Sequence, residues 1–251
     1  MLKPPSRERY AEAVSLFDRA LALDPRSVSA QGWLAAVLAG RVLDNMTDTA
    51  AADIARAEGL AGQASAPSPH SGLAHIAKGL VLSAQHRYAE AIPEYETVLA
   101  LDRNWVGALH GLGQCKLFTG SIEETIPLVK QAIRLSPRDP LIGYWYQQIG
   151  LVHLLQSRTG DAIVWLERAR NAIPAHPHIR AQLASAYALN GETERACAEL
   201  AAARRLSLDG RYSSIAGLRV LGNYRVLASE IRARCEATYF TGLHKAGMPD
   251  E

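Results

Sequence analysis

The sequence predicts an all-α protein assembled from repeated pairs of helices. The strongest sign is a period of about 34 residues, over which small and apolar side chains return in step. The composition agrees, because 48% of the residues are hydrophobic while only 6% are aromatic, and Ala and Leu supply most of the apolar share. Such a composition favours close packing of helices over β-sheets. Gly and Pro recur where the period requires turns.

Charge and cysteine content argue against several classes of protein. The net charge is +2, and the basic residues are spread along the chain among 25 acidic ones, without the concentrated basic face of a nucleic-acid binder. Cys115, Cys197 and Cys235 are odd in number and widely spaced, which argues against a disulfide framework and a structural zinc site. The longest apolar stretch, residues 33–39, is too short to cross a bilayer. We therefore expect a cytoplasmic protein with neither nucleic acid nor membrane as partner.

Three columns of small residues and one apolar column define four repeats, with spacings of 34, 37 and 34 residues. The first column contains Gly79, Gly113, Gly150 and Ala184. The second contains Ala91, Thr125, Ala162 and Ala196, and the third contains Val98, Ala132, Ala169 and Ala203. The apolar column contains Tyr95, Val129, Leu166 and Leu200. Small side chains let two backbones approach closely, so the columns predict a helix crossing in every repeat.

Each repeat is predicted to contain two helices joined by a turn. The first helix carries apolar residues at helical spacing, as Ala108 and Leu112 do, and Gly120 or Gly191 marks the turn. The second helix ends before a proline such as Pro137, which cannot continue it.

This pattern resembles the tetratricopeptide repeat, a helix–turn–helix unit of about 34 residues. The residues that match the family's small positions and its closing proline in one repeat are Gly113, Thr125, Ala132 and Pro137. The sequence departs from the family at the fourth position, where only Tyr146 keeps the usual aromatic, and at Arg103 and Leu208, which stand where Pro is expected. The resemblance implies a right-handed superhelical solenoid of such repeats with a C-terminal capping helix.

The array is expected to occupy residues 1–208, with about five full repeats and one half repeat, and to be most regular at 72–208. The half repeat is a helix near residues 6–23, either a cap on the next repeat or the remainder of a longer protein. The repeat after it contains an insertion at 44–48 and is followed by a linker at 63–72. Residues 209–251 form an extension with a helix near 229–245. Apolar residues recur at every fourth position of this helix, at Ile231, Cys235, Tyr239 and Leu243, which is the spacing of one helix face.

Three runs in the second half, at residues 165–170, 183–189 and 237–249, resemble the C-terminal repeat region of bacterial class III adenylate cyclases. In that family a cyclase domain precedes the repeats, and this chain leaves no room for such a domain. The resemblance therefore transfers no catalytic residue. It implies one alternative function, a detached or truncated regulatory region that acts in cyclic-nucleotide signalling.

The search for chemistry in the sequence is negative, with no phosphate-binding glycine loop and no HExxH motif. His176 and His178 are interpreted as loop histidines, and Cys115 as a buried, unreactive thiol. We therefore predict a protein that is not an enzyme and that needs no cofactor and no metal. Its favoured function is that of a scaffold for a protein or peptide partner.

A partner is expected in the concave groove, which the first helices line in arrays of this kind. The candidate groove residues are His110, Gln114, Leu117, Tyr144, Gln147, Gln148, Leu151, His178 and Ser185. This mixture of polar and aromatic side chains suits an extended or helical peptide. Some tetratricopeptide proteins clamp a terminal carboxylate with Lys and Asn, but His110 and Gln114 stand at those places here. An alternative for Tyr144 is that it only fills space between repeats, together with Trp145 and Tyr146.

Overall fold

A computed structural model describes residues 6–67, 70–207, 210–220 and 222–251, with the backbone alone at 222 and 223. Leu208, Pro69 and the predicted boundary at residue 208 lie outside the described residues. Within the described ranges the regular structure is helical and contains no strand. The predicted all-α fold of paired helices is therefore confirmed. No helix in these ranges combines the length and the apolar content that a membrane crossing requires.

Eleven consecutive helices form the array over the described residues. They are α1 (Arg7–Leu23), α2 (Val28–Leu43), α3 (Ala50–Ser65), α4 (Gly72–Ala84), α5 (Tyr88–Leu101), α6 (Val106–Thr119), α7 (Ile122–Leu135), α8 (Ile142–Leu155), α9 (Thr159–Ala172), α10 (Pro177–Leu189) and α11 (Thr193–Leu206). The chain divides into two compact bodies. Body 1 comprises Met1–Lys116 with Arg134–Ser136, and body 2 comprises Leu117–Ile133 with Pro137–Glu251.

In body 1, α2 packs against α3 and α4 packs against α5, while α1 lies on α2. The core contains fully buried residues such as Leu34, Leu38 and Ala57, and α1 adds partly buried Phe17. The predicted insertion corresponds to the loop between α2 and α3. The repeat is also longer because both of these helices have 16 residues, whereas α4 has 13 and α5 has 14.

In body 2, α8 pairs with α9 and α10 pairs with α11, and α10 also packs on α9. The core is built from side chains that α8 to α11 turn toward one another, among them Val152, Leu166, Leu183 and Tyr187. Burial of these aliphatic and aromatic groups is the main favourable contribution to the stability of such helix pairs.

The turn inside each helix pair has the same backbone geometry throughout the array. His86, Gly120, Ser157 and Gly191 stand at the same place in their repeats, and their φ angles are 60°, 106°, 59° and 83°. After α8, for example, Ser157 N donates to Leu154 O and Arg158 N to His153 O, both at 2.9 Å. This hydrogen-bond pattern is a Schellman motif. The sequence pattern identified only the two glycines of this set, because His and Ser seldom adopt a positive φ.

The C-terminal extension is also helical. It contains α12 (Ile215–Val220), α13 (Gly222–Val226) and a longer helical segment that we call the C-terminal helix. The C-terminal helix runs without a break through Ser229–Cys235, a π-helical turn at Glu236–Phe240, and Thr241–Lys245. The side chains that it buries include Ile231, Cys235, Tyr239 and Leu243. This helix contacts α10 and α8.

Candidate functional site

The small-residue columns determine how closely the helices of a pair approach. A Cβ atom at Gly79 would lie 2.8 Å from Tyr95 Cε1, and a Cβ atom at Gly150 would lie 2.7 Å from Leu166 Cγ. Both contacts join the first small column to the apolar column of the same repeat. The other residues of the small and apolar columns that have no exposed surface are Ala91, Val98, Thr125, Val129, Ala132, Ala162, Ala169, Ala184, Ala196 and Ala203. These residues form helix contacts, which leaves other positions of the first helices for binding.

On α10 the candidate positions lie beneath the C-terminal helix. Ser185 has no exposed surface, and its Oγ donates a hydrogen bond to Thr238 O at 3.4 Å. The ring of His178 meets the ring of Tyr239 edge to face, with centroids 6.0 Å apart. The structure therefore does not leave this part of the predicted groove open to solvent.

Gly242 is the point of closest approach between the C-terminal helix and α10. A Cβ atom there would lie 2.5 Å from Ser185 O and 2.9 Å from Ser185 C. Because these are backbone atoms, a side-chain rotation cannot make room. The docked position of the helix therefore requires glycine at residue 242.

On α8 the four candidate residues differ in exposure. Tyr144, Gln147 and Leu151 are partly exposed, and the Tyr144 ring meets the His176 ring at a centroid distance of 5.4 Å. Gln148 is 7% exposed, and neither its Nε2 nor its Oε1 has a hydrogen-bond partner among the described residues. This buried amide is a polar group that sequence analysis could place on the helix but could not show to be unpaired.

The neighbours of Tyr144 face elsewhere. Trp145 is 2% exposed and belongs to the core. Tyr146 packs against Trp165 on α9, with ring centroids 5.7 Å apart. Thus Trp145 is buried and Tyr146 packs within its own helix pair, whereas Tyr144 keeps a partly exposed surface. The interpretation that these residues fill space between repeats stays a prediction.

Of the candidates on α6, two keep some exposed surface and one does not. His110 and Gln114 are partly exposed, and burial lowers the pKa of His110 to about 4, so its ring is neutral near pH 7. Leu117, by contrast, is 1% exposed and lies in the core of body 2. Its aliphatic side chain packs into that core, so it is not at an open face.

No arrangement typical of catalysis is found in the described part of the chain. It contains no cluster of three or more His, Cys, Asp or Glu side chains that could hold a metal ion. Burial raises the pKa of Cys115 to about 11 and that of Cys235 to about 12, so neither thiol is a nucleophile near neutral pH.

The chain is similar in fold to solved tetratricopeptide proteins, although no protein-family model and no curated protein matches its sequence. One is YrrB, described as a TPR protein with an unusual peptide-binding site, at 17% identity and a TM-score of 0.53, covering 78% of this chain and 94% of YrrB. PilW, a type IV pilus biogenesis factor, has 16% identity and a TM-score of 0.60, covering 79% and 86%. PilF of Pseudomonas aeruginosa has 17% identity and a TM-score of 0.59, covering 86% and 96%. The predicted tetratricopeptide fold is thereby confirmed.

The resemblance to class III adenylate cyclases gains no support from these comparisons and stays a prediction from sequence. The structure gives packing roles to residues in all three of the runs on which it rests, since Leu166 of the first run lies in the core of body 2. Leu183 and Tyr187 belong to the core of body 2, and so do Leu243 and Met248 at the end of the chain. Residues that pack in a helical core carry no information about a catalytic partner domain.

Proposed function

We propose that this tetratricopeptide-fold protein is a non-catalytic scaffold that binds a peptide or partner protein along the faces of its first helices. The observation that carries the proposal is that two successive first helices, α6 and α8, keep partly exposed side chains at equivalent positions. His110 on α6 corresponds to Gln147 on α8, and Gln114 corresponds to Leu151. A partner protein is also consistent with the peptide-binding site for which YrrB is described.

The chemistry of these positions favours a neutral peptide segment. A Gln amide both donates and accepts hydrogen bonds, so Gln114 and Gln147 can pair with the N–H and C=O groups of a peptide backbone. Tyr144 adds an aromatic surface with little conformational entropy to lose on binding. Since no lysine stands among the candidate positions, we do not expect recognition of a terminal carboxylate.

Affinity capture from the native host tests this proposal. The double variant Gln114→Ala with Tyr144→Ala should lose the partner that the wild-type protein retains, because it removes a hydrogen-bonding amide and an aromatic contact. The control is Glu194→Ala with Val164→Ala, which truncates exposed side chains of the second helices α11 and α9. Circular dichroism should show both variants to be folded. Retention of every partner by the groove variant would contradict the assignment of these residues.

A further inference from the structure

The C-terminal helix lies on the surface that we assign to the partner. At the equivalent positions of α10, Ser185 is fully buried and His178 contacts Tyr239. The same helix contacts α8, which carries Tyr144 and Gln148. The chain therefore supplies its own occupant for this part of the groove, and that occupant is an amphipathic helix.

The contact between this helix and the groove leaves buried polar groups unpaired. Gln148 Nε2 and Oε1, Gln182 Oε1 and the Tyr239 hydroxyl have no hydrogen-bond partner among the described residues. The Gln182 Nε2 atom donates to His178 Nε2 at 3.1 Å, so the amide is satisfied on one side only. Buried polar groups without partners weaken an interface relative to its apolar area. The docked helix is thus held less firmly than its buried side chains alone would indicate.

The extension makes hydrogen bonds both within itself and to the array, where Ala228 N donates to Phe118 O at 3.0 Å and Arg204 Nε donates to Tyr212 O at 3.1 Å. Ile215 N donates to Pro249 O, and Ala216 N donates to Asp250 O, both at 2.9 Å. Glu236 accepts from Arg219 Nε at 2.9 Å and from the Tyr224 hydroxyl. The bond from Ser185 to Thr238 across the contact with α10 is longer, at 3.4 Å. The hydrogen bond between the C-terminal helix and α10 is thus longer than the bonds that attach the extension to the array at Tyr212 and Ala228. The C-terminal helix can therefore separate from α10 while these bonds keep the start of the extension in place.

We propose that the C-terminal helix is a self-inhibitory ligand, which occupies the α8 and α10 part of the groove and must leave before a partner can bind there. The inference rests on the proposed function, since it takes the faces of the first helices as the binding surface. It adds a regulatory step, in which the partner competes with a segment of the same chain. It also specifies the kind of ligand that fits this part of the groove. That ligand is an amphipathic helix with a glycine against α10 and a tyrosine against His178.

The test uses the full chain and a fluorescent synthetic peptide of residues 229–251, whose own Gly242 allows it to dock. The variant Gly242→Ala should release the helix of the protein, because the new methyl group collides with the backbone of Ser185. We expect the peptide to bind this variant about tenfold more tightly than wild type, or better, since the wild-type groove is filled. A peptide that carries Gly242→Ala should bind neither protein.

Gly160→Ala is the matched control, because a Cβ atom there meets no atom within 4 Å, and it should behave as wild type. Leu243→Asp is a second variant, which places a charge on a fully buried side of the C-terminal helix. Limited trypsin digestion reports release directly, since Arg232 and Arg234 lie within this helix and become cleavable when it leaves.

The outcomes decide the proposal in both directions. Peptide binding to either releasing variant, together with new cleavage at Arg232, would support it. If both variants stay uncleaved, or if both unfold the whole chain, the helix is a permanent part of the fold and the proposal is wrong. Cleavage without peptide binding would also overturn it. None of these readouts needs the external partner, so a failed capture experiment rejects the proposed function without touching this result.

Discussion

Two residues that replace the family's usual aromatic at the fourth position of the repeat are each paired with a glutamate on the second helix. His75 Nδ1 lies 2.7 Å from Glu94 Oε2, and Arg180 Nη1 lies 2.8 Å from Glu199 Oε2. Both pairs span 19 residues. In the repeat that keeps the aromatic, Tyr146 packs at the same spacing on Trp165. From the sequence these residues are only departures from the family pattern, because the pattern does not show which residue each one meets across the helix pair.

Glu199→Gln should destabilise the protein by about 1–3 kcal/mol. Glu199 accepts hydrogen bonds from Arg170 at 2.6 Å and from Arg180, and its side chain is only 10% exposed. Loss of its charge removes the carboxylate that both partly buried guanidinium groups contact. Urea denaturation measures the change. Glu194→Gln, on the exposed side of the same helix, is the control and should leave the midpoint unchanged. Equal midpoints for both variants would contradict this account of the pair.

Among the elements, the second helices α5 and α7 each contain an internal proline, Pro93 and Pro127. Both prolines are exposed and stand at the place that Val164 occupies in α9. Proline inside a helix removes one backbone hydrogen bond, yet the helices continue for a further eight residues. Proline in the sequence was expected to mark the end of a helix. This expectation is correct at Pro137 but wrong at Pro93 and Pro127. Burial of the opposite face keeps these helices intact, and burial is a tertiary effect that local propensity does not contain.

Pro93→Ala should stabilise the protein by roughly 1–3 kcal/mol. The substitution restores a backbone N–H that can donate to the carbonyl of Ala89, and it relieves the contact between that carbonyl and the proline ring. Thermal unfolding followed by circular dichroism gives the measurement. Val164→Ala at the corresponding place of α9 removes no proline, so it should change the stability much less. A melting temperature that falls in the Pro93 variant would contradict this expectation.

For the whole molecule, the array and a C-terminal helix that caps it could be predicted from sequence, but the residues that this helix contacts could not. The array is periodic, so the spacing of Gly79, Gly113, Gly150 and Ala184 is enough to place the helices. The extension has no period, and its decisive contact joins Ser185 to Thr238, which are 53 residues apart in the chain. The position of Ser185 on the first helix of its repeat identified it as a groove residue. Its burial, however, depends on where the C-terminal helix packs.

The stability of body 2 should fall as the solution is acidified. Burial is the main reason that the pKa of His178 is lowered to about 3, and the nearby charges of His176 and Arg211 add to it. Burial also lowers the pKa of His176 to about 4. In the unfolded chain both groups titrate near 6.5. The stability that comes from keeping them neutral is therefore complete above about pH 6.5, and it is lost as the pH falls from there toward the folded values.

Between about pH 7 and pH 5 we expect a loss on the order of 2 kcal/mol for each of these two histidines. Urea denaturation at several pH values measures it. His178→Gln should reduce the loss between these pH values by about 2 kcal/mol, because it removes one of the buried rings. Val164→Ala changes an exposed side chain of α9 that does not titrate and should leave the pH profile as it is. Parallel profiles for wild type and His178→Gln would contradict this explanation.

The contact at Gly242 also has a consequence for natural variation among related genes. A single base change in a glycine codon gives alanine, and the added methyl group would collide with α10. A lineage could therefore change from a gated to a permanently open binding surface in one mutational step, without altering any residue that touches the partner. Species that carry a larger residue at this place are expected to have lost the gate and kept the scaffold.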